Sequence, residues 1–262
     1  MFNKIGLFAD LLSAMVLMSF VGYNVDLKPV NFTEIQKVSD RVQEKSVYAD
    51  IINYATNPTL DIKNRMTCAH ETTHMINSYL RNKEGGKTNA FYLPPGWAFI
   101  VEEPNIRKSQ VAQYIPSEVR GYRYSTYVSG SQEWDDTPLY LVDEWCAYVN
   151  GAMVGIDDIN HNRYNGEWTD GVSGCLELSL YCVALCMAIE EHDNTYWTTN
   201  EQFRNFMKWH LQRAYNTYMV GKNYPQFKWK KQEEFLQLFL ESPSTLRMRI
   251  FITEHLDGIG LK

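Results

Sequence analysis

Two histidines four positions apart, with a glutamate directly after the first, are the side chains whose types and spacing suit metal chemistry. They lie in residues 68–75, Cys-Ala-His-Glu-Thr-Thr-His-Met. Residues i and i+4 of a helix lie above one another on one face, so the rings of His70 and His74 can bind one divalent ion, and zinc is the expected metal. Glu71 points about 100° away around the helix. There it can act as a general base on water at the metal.

The residues around these histidines have the pattern of an amphipathic helix. Small or apolar side chains recur at intervals of four and three, and Gly85-Gly86 marks the end of the helix. His70 and His74 border this stripe, which places a metal at the edge of a core, where a cleft can form. The alternative is two structural or surface histidines that happen to be four residues apart. The stripe consists of Ile62, Met66, Ala69, Thr73, Ile76 and Leu80.

The pattern His-Glu-x-x-His at residues 70–74 resembles the signature of the zincin metallopeptidases. Members of the metzincin branch have a Gly and a third His further along the same helix, whereas Asn77 and Leu80 occupy those positions here. Zincins of the gluzincin type take the third ligand from a Glu on a later helix. The resemblance covers two short segments and leaves most of the chain unmatched.

A later segment offers such a glutamate. Thr137-Pro138 is typical of a helix start, with Thr as the N-cap and Pro at the first helical position. Glu144 then lies one to two turns inside that helix, 70 positions after His74. Asp143 and Glu144 are adjacent carboxylates in an otherwise apolar stretch, and a buried carboxylate needs a partner such as a metal.

The resemblance implies a role for each of these residues. His70, His74 and Glu144 are expected to bind one Zn²⁺ per chain, with water in the fourth position. Glu71 is expected to be the general base and later the proton shuttle. Two alternatives stay open for Glu144: a solvent-facing carboxylate favoured by the helix dipole, or replacement by another oxygen donor. The competing donors are Glu133, Asp135, Asp136 and Asp143.

Two tyrosines are further candidates for the site. Tyr140 and Tyr148 each lie four residues from Glu144 and share its helical face. Many gluzincins place an Asp that orients the first His at the position that Tyr148 occupies. We therefore expect Tyr148 to orient His70 or pack the helix, with action of its hydroxyl on the oxyanion as an alternative, and Tyr140 to be the candidate donor to the oxyanion. Simple packing is the alternative for both.

Composition limits the classes of protein. The chain has 262 residues, of which 45% are hydrophobic, enough for one domain with a sizeable core over residues 1–262. A net charge of −6 without a basic cluster argues against a nucleic-acid partner. Five cysteines, an odd number without a Cys-x-x-Cys pair, predict buried free thiols rather than a disulfide framework or a cysteine zinc site.

The first 25 residues allow three interpretations. A mostly apolar stretch, residues 5–23, follows Lys4 and is interrupted by Asp10. It fits a first helix of the folded domain, a signal peptide, or a short anchor. The chain is therefore expected in the cytoplasm or outside the cell, depending on which applies. No other stretch predicts a membrane span, and the oligomeric state stays open.

The remaining patterns predict a mainly helical α+β fold. Residues 31–56 have a helix-like pattern, and residues 172–192 are apolar nearly all round, as in a buried central helix. Three runs rich in aromatic and β-branched residues predict a small antiparallel sheet inserted after the motif helix: 90–93, 97–101 and 122–128. Amphipathic helices over 200–220, 232–240 and 243–256 complete a C-terminal helical part, 172–262. The resemblance implies a zincin-like metallopeptidase core.

Together these expectations favour a zinc-dependent metalloendopeptidase that acts on a protein or peptide substrate through metal-activated water. The alternative is a non-catalytic binding or structural protein on a zincin-like scaffold. The presence of Glu71 favours the enzyme, because a structural zinc site needs no base and usually closes its fourth position with a protein ligand.

Overall fold

The computed structural model describes residues 24–30, 41–55, 63–85, 88–130 and 135–258. The described strands and helices are, in chain order, β1 (Leu27–Pro29), α1 (Val47–Ile52), α2 (Arg65–Lys83), β2 (Thr88–Leu93), β3 (Trp97–Glu102), α3 (Lys108–Ala112), a 3-10 turn (Ser117–Val119), a π-helical segment (Tyr124–Gly130), α4 (Tyr140–Asn160), α5 (Gly171–His192), α6 (Asn194–Thr199), α7 (Glu201–Gly221), α8 (Lys230–Glu241), a second 3-10 turn (Pro243–Thr245) and α9 (Leu246–His255).

The fold is mainly helical and contains a three-stranded antiparallel sheet, as the sequence predicts for an α+β protein. Strand β3 is central, with β1 and β2 at its edges. In the hairpin of β2 and β3, Phe91 lies opposite Phe99 and Leu93 opposite Trp97. The turn between them contains Gly96 at a φ of +71°, a conformation that favours glycine. The third strand, β1, precedes the motif helix, and its three residues give no strand pattern of their own.

Helix α5 forms the centre of the core. Every residue from Val172 to Ile189 is buried, and the helix packs against α4, α7 and α9. Among the described helices it is the one long and apolar enough to cross a membrane, and its apolar stretch is entirely enclosed by the protein. The predicted buried central helix is thus confirmed. All five cysteines are buried and free, as predicted.

Close packing of α2 against α4 brings the two site helices together. A Cβ atom built on Gly151 of α4 would lie 2.9 Å from the carbonyl oxygen of Met66 and 3.6 Å from Cβ of His70. Only glycine therefore permits this separation of the helices at Gly151. The contact lies near the middle of α4, about two turns beyond Glu144.

The expectation of a strand over residues 122–128 is wrong. Residues 124–130 form the π-helical segment instead, and Tyr122 is 72% exposed. The alternating aromatic residues that suggested a strand pack in different directions: the ring of Tyr124 contacts Tyr181, and that of Tyr127 contacts Tyr148. These tertiary contacts outweigh the local preference for a strand.

The structure also corrects part of the predicted helix over residues 31–56 and the predicted start of the helix that carries Glu144. Residues 41–46 are not helical, because α1 begins only after Ser46, whose hydroxyl accepts a hydrogen bond from the Ala49 amide. Thr137-Pro138 does not open α4, which begins at Tyr140. The amide of Leu139 is instead bound by the Glu103 carboxylate at 2.8 Å. The expectations for residues 1–23, 31–40 and 56–62, including Ile62, and for Glu133 lie outside the described residues.

Replacing Gly151 with Ala should separate α2 from α4, since the new methyl group would press on a backbone oxygen. Overpacking of this kind costs about 1–3 kcal/mol, and thermal unfolding measures the loss. Gly171→Ala is the matched control, because its methyl group would meet side chains rather than backbone: the movable end of Met66 at 3.0 Å and the Thr169 hydroxyl at 3.6 Å. Equal destabilisation by both changes would contradict the proposed close approach.

Glu103 should make the stability of the protein depend on pH. Burial raises the pKa of its carboxyl group from 4.5 to about 7. A raised carboxyl pKa means that the folded protein binds the proton more tightly, so this stabilisation is complete below pH about 4.5 and is lost as the pH rises to about 7. Denaturant unfolding of the wild type and of Glu103→Gln between pH 4 and 8 tests this, because the wild type should show the extra decline. Parallel curves would exclude it.

Candidate metal centre

Helix α2 presents His70, Glu71 and His74 from a firmly capped position. Its N-cap, Asn64, accepts hydrogen bonds from the amides of Met66 and Thr67. Beyond Lys83 the chain turns through Gly85, at a φ of +93°, so the predicted helix end is confirmed. The inward face of α2 is buried against the core, while His70 and His74 are partly buried at its border.

The structure brings His70, His74 and Glu144 together. The Nε2 atoms of the two histidines are 3.1 Å apart. Oε2 of Glu144 lies 3.7 Å from Nε2 of His70 and 3.5 Å from Nε2 of His74. Two ligand atoms on a tetrahedral zinc ion, each about 2.0–2.1 Å from the metal, are roughly 3.3 Å apart. The three ligand atoms therefore have the separations that a small divalent cation requires.

The Glu144 carboxylate fits this role because its two oxygens differ in surroundings. Glu144 is 5% exposed, which excludes the solvent-facing alternative. Oε1 accepts a hydrogen bond of 2.6 Å from the Tyr140 hydroxyl. Oε2, the atom that faces both histidines, is buried without a hydrogen bond from any described residue. A buried, unpaired carboxylate oxygen is destabilising, and a cation between it and the imidazoles would satisfy it.

Each histidine ring has a second contact. Asp143 Oδ2 lies 3.1 Å from Nδ1 of His74, and the ring of Tyr148 packs edge-on against the ring of His70. Such contacts fix the ring and direct the other nitrogen toward a metal. Asp143, which the sequence offered as a competing ligand, is thus placed behind His74 rather than beside Glu144.

The surroundings of the two imidazole rings shift their pKa values in opposite directions. Burial lowers the pKa of His74, but the adjacent Asp143 and Glu144 carboxylates outweigh it and raise that pKa to about 10. Burial, the neighbouring His74 and Arg123 lower the pKa of His70 to about 3. The pocket is therefore one in which carboxylates stabilise a positive charge between the histidines.

Glu71 lies on the open side of this cluster. It is exposed and lines a cleft of about 230 Å³ together with His70, Tyr127 and Tyr148. Of the three candidate ligands, His70 is the one that shares this cleft with Glu71. The rest of the cleft is formed by Met66, Thr67, Gly151, Ala152, Thr169, Asp170 and Gly171.

The two tyrosines predicted for the site lie in different environments. Tyr140 hydrogen-bonds to Glu144, so its hydroxyl is directed at the carboxylate. The ring of Tyr148 packs edge-on against His70, with centroids 4.7 Å apart, while its hydroxyl lies 3.1 Å from that of Tyr127. Tyr148 thus contacts His70 through its ring. The hydrogen bond to a candidate ligand is made by Tyr140, and its acceptor is Glu144.

Tyr127 is a cleft residue that the sequence pattern assigned to a strand. Its position depends on Arg123, which is 2% exposed and binds Glu177 and Asp170 of the α5 region at 3.2 and 3.1 Å. The Arg123 guanidinium also lies over the ring of Tyr148, 4.6 Å from its centroid. This buried ion network ties the π-helical segment to α5 and holds Tyr127 over the cleft. No local sequence signal marks it.

Comparison with protein-family models, with curated proteins and with solved structures finds no match to this chain. The donors of the centre are two imidazole nitrogens and one carboxylate oxygen, a set that suits zinc.

Changing Tyr140 to Phe should weaken metal binding, because Glu144 then loses the hydrogen bond that orients it. Loss of such a contact typically lowers zinc affinity by about 10–100-fold, which competition with a chromogenic chelator measures. Tyr148→Phe is the matched control: it keeps the ring on His70 and removes a hydroxyl that interacts with Tyr127 and Arg123 rather than with Glu144, so the affinity should hold. Equal zinc affinities for Tyr140→Phe and the wild type would contradict the role given to Tyr140.

Proposed function

We propose that this protein is a zinc-dependent endopeptidase with a zincin-like, gluzincin-type centre. One observation supports this most strongly: a buried Glu144 oxygen that has no hydrogen bond from the described residues faces the Nε2 atoms of His70 and His74, and the exposed Glu71 lines an open cleft together with His70. His70, His74 and Glu144 would hold the zinc. A site with three protein ligands and access from solvent is typical of catalytic rather than structural zinc.

The residues of the chain divide the chemistry among them. Zinc, when bound, supplies a Lewis acid that makes water more acidic and polarises a carbonyl group. The Glu71 carboxylate takes the proton from the attacking water and delivers it to the nitrogen of the leaving amine. Burial of Glu144 and its hydrogen bond from Tyr140 keep the ligand carboxylate fixed throughout.

The hydroxyls of Tyr127 and Tyr148 are the candidates to stabilise the oxyanion. Both residues line the cleft beside His70, and their hydroxyls are paired with each other at 3.1 Å. A hydroxyl can turn from this partner to a carbonyl oxygen that develops negative charge, which is worth about 10²–10³ in rate for one donor. Tyr140 is less suited, because its hydroxyl is already engaged by Glu144.

The cleft also constrains how a peptide would approach. Strand β2 is an edge strand, but side chains bind both backbone polar groups of its residue Tyr92. Asn77 accepts a hydrogen bond from the Tyr92 amide, and Asn150 donates one to the Tyr92 carbonyl. A substrate therefore cannot add to the sheet at Tyr92. The open route lies between α2 and the π-helical segment, past Glu71 and Tyr127.

Glu71→Gln tests the mechanism, since it preserves shape and removes the base. We expect one zinc per chain and an unchanged melting temperature, with kcat on an unstructured protein such as casein lowered by at least about 10²–10⁴. Glu84→Gln, an exposed change just beyond the end of the same helix, is the matched control and should keep full activity.

Two outcomes would contradict the proposal. Equal turnover by Glu71→Gln and the wild type would exclude Glu71 as the base. A zinc-loaded wild type that cleaves no protein or peptide would favour the non-catalytic binding or structural role instead.

A further inference from the structure

Asn77 is a buried asparagine one turn after His74, and both halves of its amide are engaged. It is 3% exposed. Its Nδ2 donates to Oδ1 of Asp143, and its Oδ1 accepts from the amide of Tyr92 at 2.6 Å. A backbone amide can only donate and a carboxylate can only accept, so the orientation of the Asn77 side chain is fixed by its partners.

Asp143 connects Asn77 to the metal centre. While Oδ1 receives the Asn77 amide, Oδ2 lies 3.1 Å from Nδ1 of His74. The side chain of Asp143 is only 16% exposed, so little solvent is available to replace a lost donor. Loss of the Asn77 hydrogen bond would leave one carboxylate oxygen poorly solvated and free the group to rotate.

The contacts from His74 through Asp143 and Asn77 end at strand β2, on the backbone of Tyr92. Tyr92 is fully buried, and in the hairpin it lies opposite Ala98. Its amide is bound by Asn77 of α2 and its carbonyl by Asn150 of α4 at 3.0 Å. The sheet thus holds both site helices through a single residue of β2.

The two asparagines can be compared, because both bind backbone groups of Tyr92 and, of the two, Asn77 is the one that contacts Asp143. Asn150 is fully buried, binds the Tyr92 carbonyl, and accepts from Arg213 at 2.8 Å. Its hydrogen bonds among the described residues do not include Asp143. Of these two asparagines, it is therefore Asn77 that links β2 to Asp143, the group that orients His74.

We propose that Asn77 is a positioning residue: it fixes the Asp143 carboxylate against β2, and Asp143 in turn sets the ring orientation and tautomer of His74. This inference rests on the proposed zinc function. It assigns a role to the residue that stands where metzincins have their conserved glycine, and it makes β2 part of the support of the centre.

Asn77→Ala and Asn150→Ala form the test. Both remove a buried hydrogen bond to Tyr92, so both should lower the melting temperature. Only Asn77→Ala should raise the Kd for zinc, by about 10–100-fold, whereas Asn150→Ala should leave it unchanged. Asn77→Asp is a second variant in case the alanine change prevents folding: it keeps an acceptor for the Tyr92 amide and removes the donor to Asp143, so it should weaken zinc binding as well.

A second measurement uses the protein without zinc. The Nδ1–H proton of His74, held by Asp143, should give a slowly exchanging signal in ¹H–¹⁵N NMR of the imidazole rings in the wild type and in Asn150→Ala. It should broaden or vanish in Asn77→Ala and Asn77→Asp. An unchanged signal in both Asn77 variants, or equal changes in the Asn77 and Asn150 variants, would overturn the positioning role.

The two measurements also separate this inference from the proposed function. A wild type that binds no zinc would refute the proposed function, while the His74 signal would still decide the role of Asn77. Normal zinc binding by the wild type and by Asn77→Asp would leave the metal centre standing and overturn the inference.

Discussion

The approach of α4 to α2 at Gly151 is the contact on which the candidate centre depends. Because a glycine there lies almost against the backbone of α2, the two helices are close enough for Glu144 of one to face His70 and His74 of the other. A side chain at this crossing would separate the helices by more than the tolerance of a metal site. The core built around α5 buries α4 and maintains that contact.

Burial makes the polar groups of this crossing costly unless each has a partner. Glu144 and Asp143 bring two carboxylates into a largely apolar region, and their oxygens are satisfied by Tyr140, Asn77 and His74, except for the Glu144 oxygen that faces the imidazoles. Such a network specifies one arrangement, because any rearrangement leaves a buried charge unpaired. The hydrogen bonds that stabilise these carboxylates leave one position suited to a cation, between the Glu144 oxygen and the Nε2 atoms of His70 and His74.

The local parts of the site could be predicted because they depend on helical geometry alone. The spacing of His70, Glu71 and His74 sets their relative directions on any α-helix, and the apolar pattern around Glu144 indicates a buried helix. The strand predicted over residues 122–128 failed because its aromatic residues pack on distant partners. Tyr127 lies in the cleft against Tyr148 of α4, on a segment that Arg123 joins to Asp170 and to Glu177 of α5.

The sequence by itself therefore determined the motif helix, the buried helix that follows the sheet, and the two histidines with the glutamate between them, since these depend on periodicities of a few residues. Only the tertiary structure decided how the neighbours Asp143 and Glu144 divide their roles. Their side chains point about 100° apart around the axis of α4. The position of α2 determines which carboxylate faces both Nε2 atoms and which lies behind His74. Contacts between segments far apart in the chain settle that choice, and no local pattern encodes them.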